Sequence, residues 1–211
     1  MDFAGPLNDP FCRHSLSVMF FKGRLKGVIE TLTNTHILRT LPHGVDLFYD
    51  IKRRLPKYQA VVVFDVGANI GLSAEAVLKW WPGTQIYCFE PVSSNFAALQ
   101  KRLNRHDNVH CFQLALGASK TRGHMCVEGN PAMYSLIDDR QELLTSWGVQ
   151  TEEVGIDTLA NFCDNTNIER ISFLKIDTEG YDLEVLKGAG DMLDRGYIDI
   201  IEIEAGMNPR N

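Results

Sequence analysis

The chain has 211 residues, of which 45% are hydrophobic and 23% are charged. This balance excludes a disordered chain, and the length allows one α/β core with an appendage but not comfortably two independent domains. The formal net charge of -6 excludes a protein whose main task is to grip the nucleic-acid backbone, because such a protein presents a basic face.

The cysteines and the N-terminal apolar segment bear on the compartment. Five cysteines are scattered without a zinc-like spacing and no N-glycosylation sequon is present, so we expect reduced thiols in a cytoplasmic protein. The apolar run from Leu16 to Phe21 is short and precedes Lys22, so it predicts neither a membrane span nor a signal peptide. We therefore expect no membrane or nucleic-acid partner, and the sequence is compatible with a homo-oligomer.

The first 58 residues differ in pattern from the rest of the chain. They contain two amphipathic stretches, residues 25–32 and 45–55, and the second ends before Pro56. We interpret residues 1–58 as an N-terminal helical lid or cap, and residues 59–211 as the main domain.

In the main domain, strand and helix patterns alternate. Short β-branched apolar runs predict buried strands, and apolar residues at helical intervals predict helices. In chain order the predictions are a strand at 60–66, a helix at 73–81, a strand at 85–89, a helix capped by Ser93 or Ser94, a strand at 109–114, a strand at 171–176, a helix at 183–193 and a strand at 198–203. This alternation produces right-handed crossovers, so the predicted fold class is α/β with a mostly parallel, Rossmann-like sheet.

Residues 117–167 interrupt the alternation. The segment is polar, contains Gly129-Asn130-Pro131 and lacks a clear period. We interpret it as an excursion with a short hairpin, in which residues 156–163 turn into a helix.

A glycine turn follows the first predicted strand, at the position where open α/β sheets bind ligands. Gly67 lets a ligand approach the backbone, and Gly71 lets the next helix start close to the strand. A nicotinamide-binding turn would carry a glycine where Asn69 stands, so a nicotinamide-dependent oxidoreductase is the disfavoured alternative. The acid at Asp65 suits a ligand with an amino group and a sulfonium charge better than it suits a diphosphate.

The second predicted strand leads into Glu90, 25 positions after Asp65. Neighbouring parallel strands end at the same edge of a sheet, so Glu90 is expected beside the glycine turn. A carboxylate there can accept hydrogen bonds from both ribose hydroxyls of an adenosyl cofactor. We interpret Asn95 as a brace for Glu90 rather than as a ligand contact.

Several blocks of the sequence resemble the FkbM-type methyltransferases. They are Asp65 to Gly71, Phe89-Glu90-Pro91 with Asn95, Leu114 to Gly117, and Leu174-Lys175-Ile176-Asp177-Thr178-Glu179-Gly180 followed by Glu184 to Ala189. The resemblance spans about residues 61–204, and its last block is the most specific. It implies a class I methyltransferase sheet, S-adenosylmethionine as the cofactor, and methyl transfer to oxygen on a sugar or a natural-product hydroxyl.

Two parts of the chain depart from that family's pattern. Residues 1–58 match no block, so the sequence does not identify the acceptor. The family normally continues past the fifth long strand through a helix and a final antiparallel pair, whereas this sequence stops at Asn211. The domain at 59–211 is therefore expected to lack its last strands.

The motifs assign a set of site residues. The predicted cofactor-binding residues are Asp65, Gly67, Ala68, Asn69, Gly71, Glu90, Pro91 and Ala115. Asp177 is the predicted catalytic residue, which accepts the proton of a small hydroxylated acceptor during direct displacement. Asp177 and Glu204 offer magnesium two ligands and no third is evident, so we expect a site without metal. Of Glu202 and Glu204, at most one is expected to face the site.

One alternative of another class is a catalytically inert binding or scaffold subunit that has kept the fold. The intact Asp65, Gly67, Glu90 and Asp177 argue against it.

Overall fold

The computed structural model describes residue 42 and residues 44–127, 136–137 and 150–204. The chain divides into two compact units, residues 1–56 and 57–211. The first unit contains helix α1, Leu47–Arg54, whose N-cap Asp46 accepts a hydrogen bond from the Tyr49 amide. The helix predicted at 45–55 is thus confirmed. The stretch at 25–32 lies outside the described residues, and the lid role of the segment stays a prediction.

The second unit is built on a five-stranded sheet flanked by helices. Its strands are β1 Val62–Val66, β2 Gln85–Phe89, β3 Val109–Phe112, β8 Ile171–Ile176 and β9 Ile198–Ile203. Its helices are α2 Leu72–Trp80, α3 Ser93–Leu103, α4 Leu159–Thr166 and α5 Asp182–Gly188, with a 3₁₀ turn at Gly190–Met192. The strand order is β3-β2-β1-β8-β9 and every ladder is parallel, which confirms the predicted α/β Rossmann-like sheet.

The two faces of this sheet carry different side chains, because side chains alternate along a strand. On one face Phe64 and Phe89 are fully buried, and Phe162 of α4 contacts both rings, with its ring centroid 4.8 Å from that of Phe89. On the other face Phe173 is fully buried and lies against Trp81, which follows α2. Helices thus cover both faces, and ligands can reach only the strand ends.

The excursion holds a second sheet rather than a lone hairpin. Its strands, in the order β4-β7-β5-β6, are β4 Ala115–Leu116, β5 Thr121–Cys126, β6 Leu136–Ile137 and β7 Thr151–Asp157. The predicted hairpin corresponds to β5 and β6, but β7 pairs along the whole of β5, and β4 pairs with β7. Residues 156–157 are therefore strand, and the helix predicted from 156 begins at Leu159.

Three further predicted boundaries were wrong, each for a local reason. The third strand ends at Phe112 because the chain turns there, with the Leu114 amide bonded to the Phe112 carbonyl. The helix predicted at 183–193 ends at Gly188 and gives way to the 3₁₀ turn, where Gly190 has φ +55°. The N-cap of α3 is Val92, and Ser93 is instead the first helical residue, bound by the Glu152 carboxylate.

Within the described residues, no helix has the length and apolar character needed to cross a membrane.

Candidate active site

The carboxyl ends of β1, β2 and β8 enclose a cleft that the second sheet completes. Its lining residues are Val66, Gly67, Asn69, Phe89, Glu90, Pro91, Asn95, Leu114, Ala115, Leu116, Met125, Asp177, Thr178, Glu179 and Tyr181. The polar groups follow the strand ends, and residues 114–116 with Met125 of β5 form an apolar wall. A cleft with an apolar wall and a few fixed polar groups is typical of a small-molecule site.

The glycine turn is held by hydrogen bonds to the end of β2. The amides of Gly67 and Ala68 both donate to the Phe89 carbonyl at 3.0 Å. Asn69 has φ +49° and donates its amide to Glu90 Oε2 at 2.9 Å. The turn and Glu90 therefore form one hydrogen-bonded unit.

Gly67 is required by the protein's own backbone. Its φ is +82°, and a Cβ at this position would lie 1.9 Å from the Asp177 carbonyl oxygen. The Asp177 amide in turn donates to the Val66 carbonyl at 3.0 Å. The absent side chain thus lets the ends of β1 and β8 meet, a different reason from the ligand approach that the sequence suggested.

Glu90 is buried, 5% exposed, and its carboxylate is fixed from two sides. Oε2 accepts the Asn69 amide and Oε1 accepts the Val92 amide, both at 2.9 Å. The Asn95 side chain also hydrogen-bonds this carboxylate, which agrees with the bracing role predicted for it. Burial raises the pKa of Glu90, and these hydrogen bonds oppose the rise.

Asp65 lies beneath the turn, and both of its carboxylate oxygens are buried without a hydrogen bond of normal geometry from any described residue. Burial raises its pKa to about 6, Lys175 opposes the rise, and the Ala74 amide contributes only weakly. A buried acid left without partners is a cost to folding, and such costs concentrate at functional sites.

Asp65→Asn is therefore expected to stabilise the fold at neutral pH. The carboxyl ionises at about 6 in the folded chain against 3.8 for the ordinary group, so the folded state is progressively disfavoured as the pH rises through this window. We expect a gain of about 1–3 kcal/mol in the free energy of unfolding at pH 8 and almost none at pH 4, measured by urea denaturation. The exposed Asp107→Asn is the matched control. An equal gain at both pH values would contradict the assignment.

Comparison with known proteins agrees with this geometry. Residues 65–211 match the Methyltransferase FkbM domain. The chain belongs to the FkbM methyltransferase family. It is 26% identical to Methyltransferase 1 of Beauveria bassiana (75% of this chain, 67% of that protein) and 27% identical to the hexuronic acid methyltransferase AglP of Haloferax volcanii (71% and 59%). It is 21% identical to the 2-O-methyltransferase NoeI of Sinorhizobium fredii (64% and 59%), so the matches span about three fifths to two thirds of these relatives.

The FkbM domain brings most of the predicted site residues together. Gly67, Asn69, Glu90, Pro91 and Ala115 line the cleft with Asp177. Ala68 lines an adjoining groove, described below. The roles of these residues toward a ligand stay predictions.

Gly71 lines neither the cleft nor the groove. It has φ +88° as the N-cap of α2, and a Cβ there would lie 2.9 Å from Leu99 Cδ1. Its place is in the packing of α2 against α3, a different contact from the close approach of the helix to the strand that the sequence suggested.

The adjoining groove of this methyltransferase domain lies at the ends of β8 and β9. Its lining residues are Gly67, Ala68, Asn69, Ile70, Leu72, Ser73, Asn95, Lys175, Ile176, Asp177, Glu179, Glu202, Ile203 and Glu204. The expectation that at most one of Glu202 and Glu204 faces the site was wrong. Residues two apart on a strand lie on the same face, so both reach the groove.

Lys175 is a site residue that the sequence analysis overlooked. Its Nζ contacts Asp177 Oδ2 at 2.6 Å, and its side chain is 14% exposed. Burial opposes its charge, but Asp65, Asp177 and Glu202 outweigh burial and raise the pKa of Lys175. The signal was available, because a lysine inside an otherwise apolar strand is rarely buried unless it is paired.

Three carboxylates gather at the mouth of the groove. Oxygens of Asp177, Glu179 and Glu204 all lie within 4.8 Å of one another, so a third acid stands where the sequence analysis counted two. A hydrogen bond with Asp177 raises the pKa of Glu204. That the site holds no metal stays a prediction, because three carboxylates could also bind a hard cation.

Proposed function

We propose that this FkbM domain uses S-adenosylmethionine to methylate a hydroxyl group, with a sugar as the acceptor class. The observation that carries the proposal is the buried Glu90 carboxylate, fixed in the cleft by the Asn69 and Val92 amides. The names of two relatives, a hexuronic acid methyltransferase and a 2-O-methyltransferase, support the acceptor class.

The described residues fit the cofactor. The Glu90 carboxylate accepts hydrogen bonds from the Asn69 and Val92 amides and from the Asn95 side chain, and it retains acceptor capacity that suits a ribose hydroxyl. The wall formed by Leu114, Ala115, Leu116 and Met125 suits an adenine ring. Asp65 places a buried carboxylate beneath the turn, and neither of its oxygens has a hydrogen bond of normal geometry from a described residue, which suits a ligand with positive charge.

When bound, S-adenosylmethionine supplies a methyl group on a positively charged sulfur, which needs no covalent activation by the protein. The chain's own residues position the acceptor hydroxyl and take its proton. Asp177 serves as that base, because it lines both the cleft and the groove and its side chain is 40% exposed. Lys175 fixes its Oδ2, and Glu204, hydrogen-bonded to Asp177, can share the proton.

Glu90→Ala is expected to weaken S-adenosylmethionine binding by about 1–3 kcal/mol, the scale of lost charged hydrogen bonds to two hydroxyls. Titration calorimetry measures it. Glu90→Gln keeps the size of the side chain and separates loss of charge from collapse of the turn, and Glu169→Ala, an exposed acid, is the control. Unchanged dissociation constants in both Glu90 variants would remove this residue from the cofactor site.

The acceptor class is tested with methyl-labelled cofactor and a panel of sugars, hydroxylated natural products and amines. Transfer of the labelled methyl group to a sugar hydroxyl supports the proposal. Transfer to amines alone would refute it.

A further inference from the structure

The groove beside the cofactor cleft has an unbalanced charge. Among the described residues that line it, the acids are Asp177, Glu179, Glu202 and Glu204, and the one cation is Lys175. The groove shares Gly67, Asn69 and Asp177 with the cleft, so a molecule in it lies beside the proposed base.

Lys175 does not neutralise this excess, because its charge is already engaged. It contacts Asp177 at 2.6 Å and is also attracted by Asp65 and Glu202. Register pairing sets Asp65 opposite Lys175 and Lys175 opposite Glu202, so the three side chains form a row on one face of the sheet. One half-buried ammonium thus interacts with three acids.

Glu179 and Glu204 are left at the mouth of the groove. Both are exposed, and neither forms an ion pair with a described residue. Asp65, fully buried and without a hydrogen-bond partner of normal geometry among the described residues, adds a further negative charge beside Lys175. The local field therefore favours a cation and opposes a carboxylate or phosphate.

We infer that the acceptor carries a protonated amine near the hydroxyl that is methylated, as an amino sugar does, and that Glu179 and Glu204 select it. This inference rests on the proposed function, and it names the charge of the acceptor. An ammonium group can donate three hydrogen bonds, and the two carboxylates can accept them. The neighbouring hydroxyl of the sugar then faces Asp177. A uronic acid or sugar phosphate would place like charges together in the groove.

The test compares three methyl glycosides that differ in one charged group: the 2-amino-2-deoxyglucoside, the glucoside and the glucuronoside. Binding is measured by ligand-observed NMR with S-adenosylhomocysteine present, and methyl transfer is measured separately with labelled cofactor. We expect the amino sugar to bind at least tenfold more tightly than the uronic acid at low salt, with the neutral sugar between them. This order does not depend on turnover.

Matched variants test whether Glu179 and Glu204 cause the preference for the amino sugar. Glu179→Gln and Glu204→Gln are each expected to weaken binding of the amino sugar about threefold to tenfold and to leave the neutral sugar almost unchanged, the scale of one nearby charge in a solvated site. Glu153→Gln removes an exposed acid that lines neither the cleft nor the groove, and it should change nothing.

The outcomes separate this inference from the proposed function. Three outcomes would each overturn the inference. The sugars could bind equally or in the reversed order, or none of the three could bind. The uronic acid could also bind only with added magnesium and lose its binding with EDTA. The expected binding order without methyl transfer to any hydroxyl would support the preference of the groove for a cation and refute the proposed function.

Discussion

Gly67→Ala is expected to cost about 3–5 kcal/mol of stability, enough to unfold a domain of ordinary stability. The added Cβ would lie 1.9 Å from the Asp177 carbonyl oxygen, which belongs to the backbone and cannot rotate away. The φ of +82° adds strain for any residue with a side chain. The free energy of unfolding from urea denaturation measures the effect, and a loss of secondary structure by circular dichroism would mark complete unfolding.

Gly83→Ala is the matched control, because a Cβ there meets no atom within 4 Å. It should change stability by less than about 0.5 kcal/mol. Gly180→Ala, with φ +104° and open space around it, isolates the backbone strain and should cost about 1 kcal/mol. A Gly67 variant no worse than the Gly180 variant would show that β1 and β8 can separate at this point.

Asp177→Asn is expected to reduce kcat by about 10²–10⁴, the range for loss of a general base, while the cofactor dissociation constant changes little. An asparagine keeps the size of the side chain but cannot take the proton of the acceptor hydroxyl. Single-turnover rates with labelled cofactor, together with calorimetry, separate the two quantities.

The neighbouring acids provide the comparison for this experiment. Asp191→Asn alters an exposed acid within the 3₁₀ turn and should leave the rate unchanged. Glu204→Gln should lower the rate less than Asp177→Asn does, because Asp177 can still accept the proton. If the two variants fell in the opposite order, Glu204 would be the base and Asp177 its positioning residue.

The bounds predicted for β2, β8 and β9 match the structure, because an apolar run marks each of these strands. Burial on both faces accounts for β1 and β8, whereas β9 lies at the edge of the sheet and is half exposed along its length. The second sheet could not be predicted in this way. Its residues are half exposed, and β5 pairs with β7 across an intervening segment, so the ladder leaves no local period.

The candidate site divides in the same way. The turn from Asp65 and its contact with Glu90 follow from the ends of two consecutive strands, and the sequence carries both. The row of Asp65, Lys175 and Glu202 depends on how β8 aligns with β1 and β9, because these residues face one another only through strand pairing. The sequence marks Gly67 as a turn residue, but the backbone contact that requires a glycine there depends on the position of Asp177, which lies far along the chain.

The pairing of β1 with β8 also fixes the order in which the parts of the site can assemble. Val63 lies beside Phe173, more than a hundred residues later in the chain, whereas β1, β2 and β3 follow one another closely. Closing so long a loop is entropically costly and slow compared with joining neighbouring strands. During synthesis the strands that carry Asp65 and Glu90 can therefore pair before β8 has left the ribosome. The Gly67 turn would stay open on one side until β8 pairs with β1 and brings Asp177 against it.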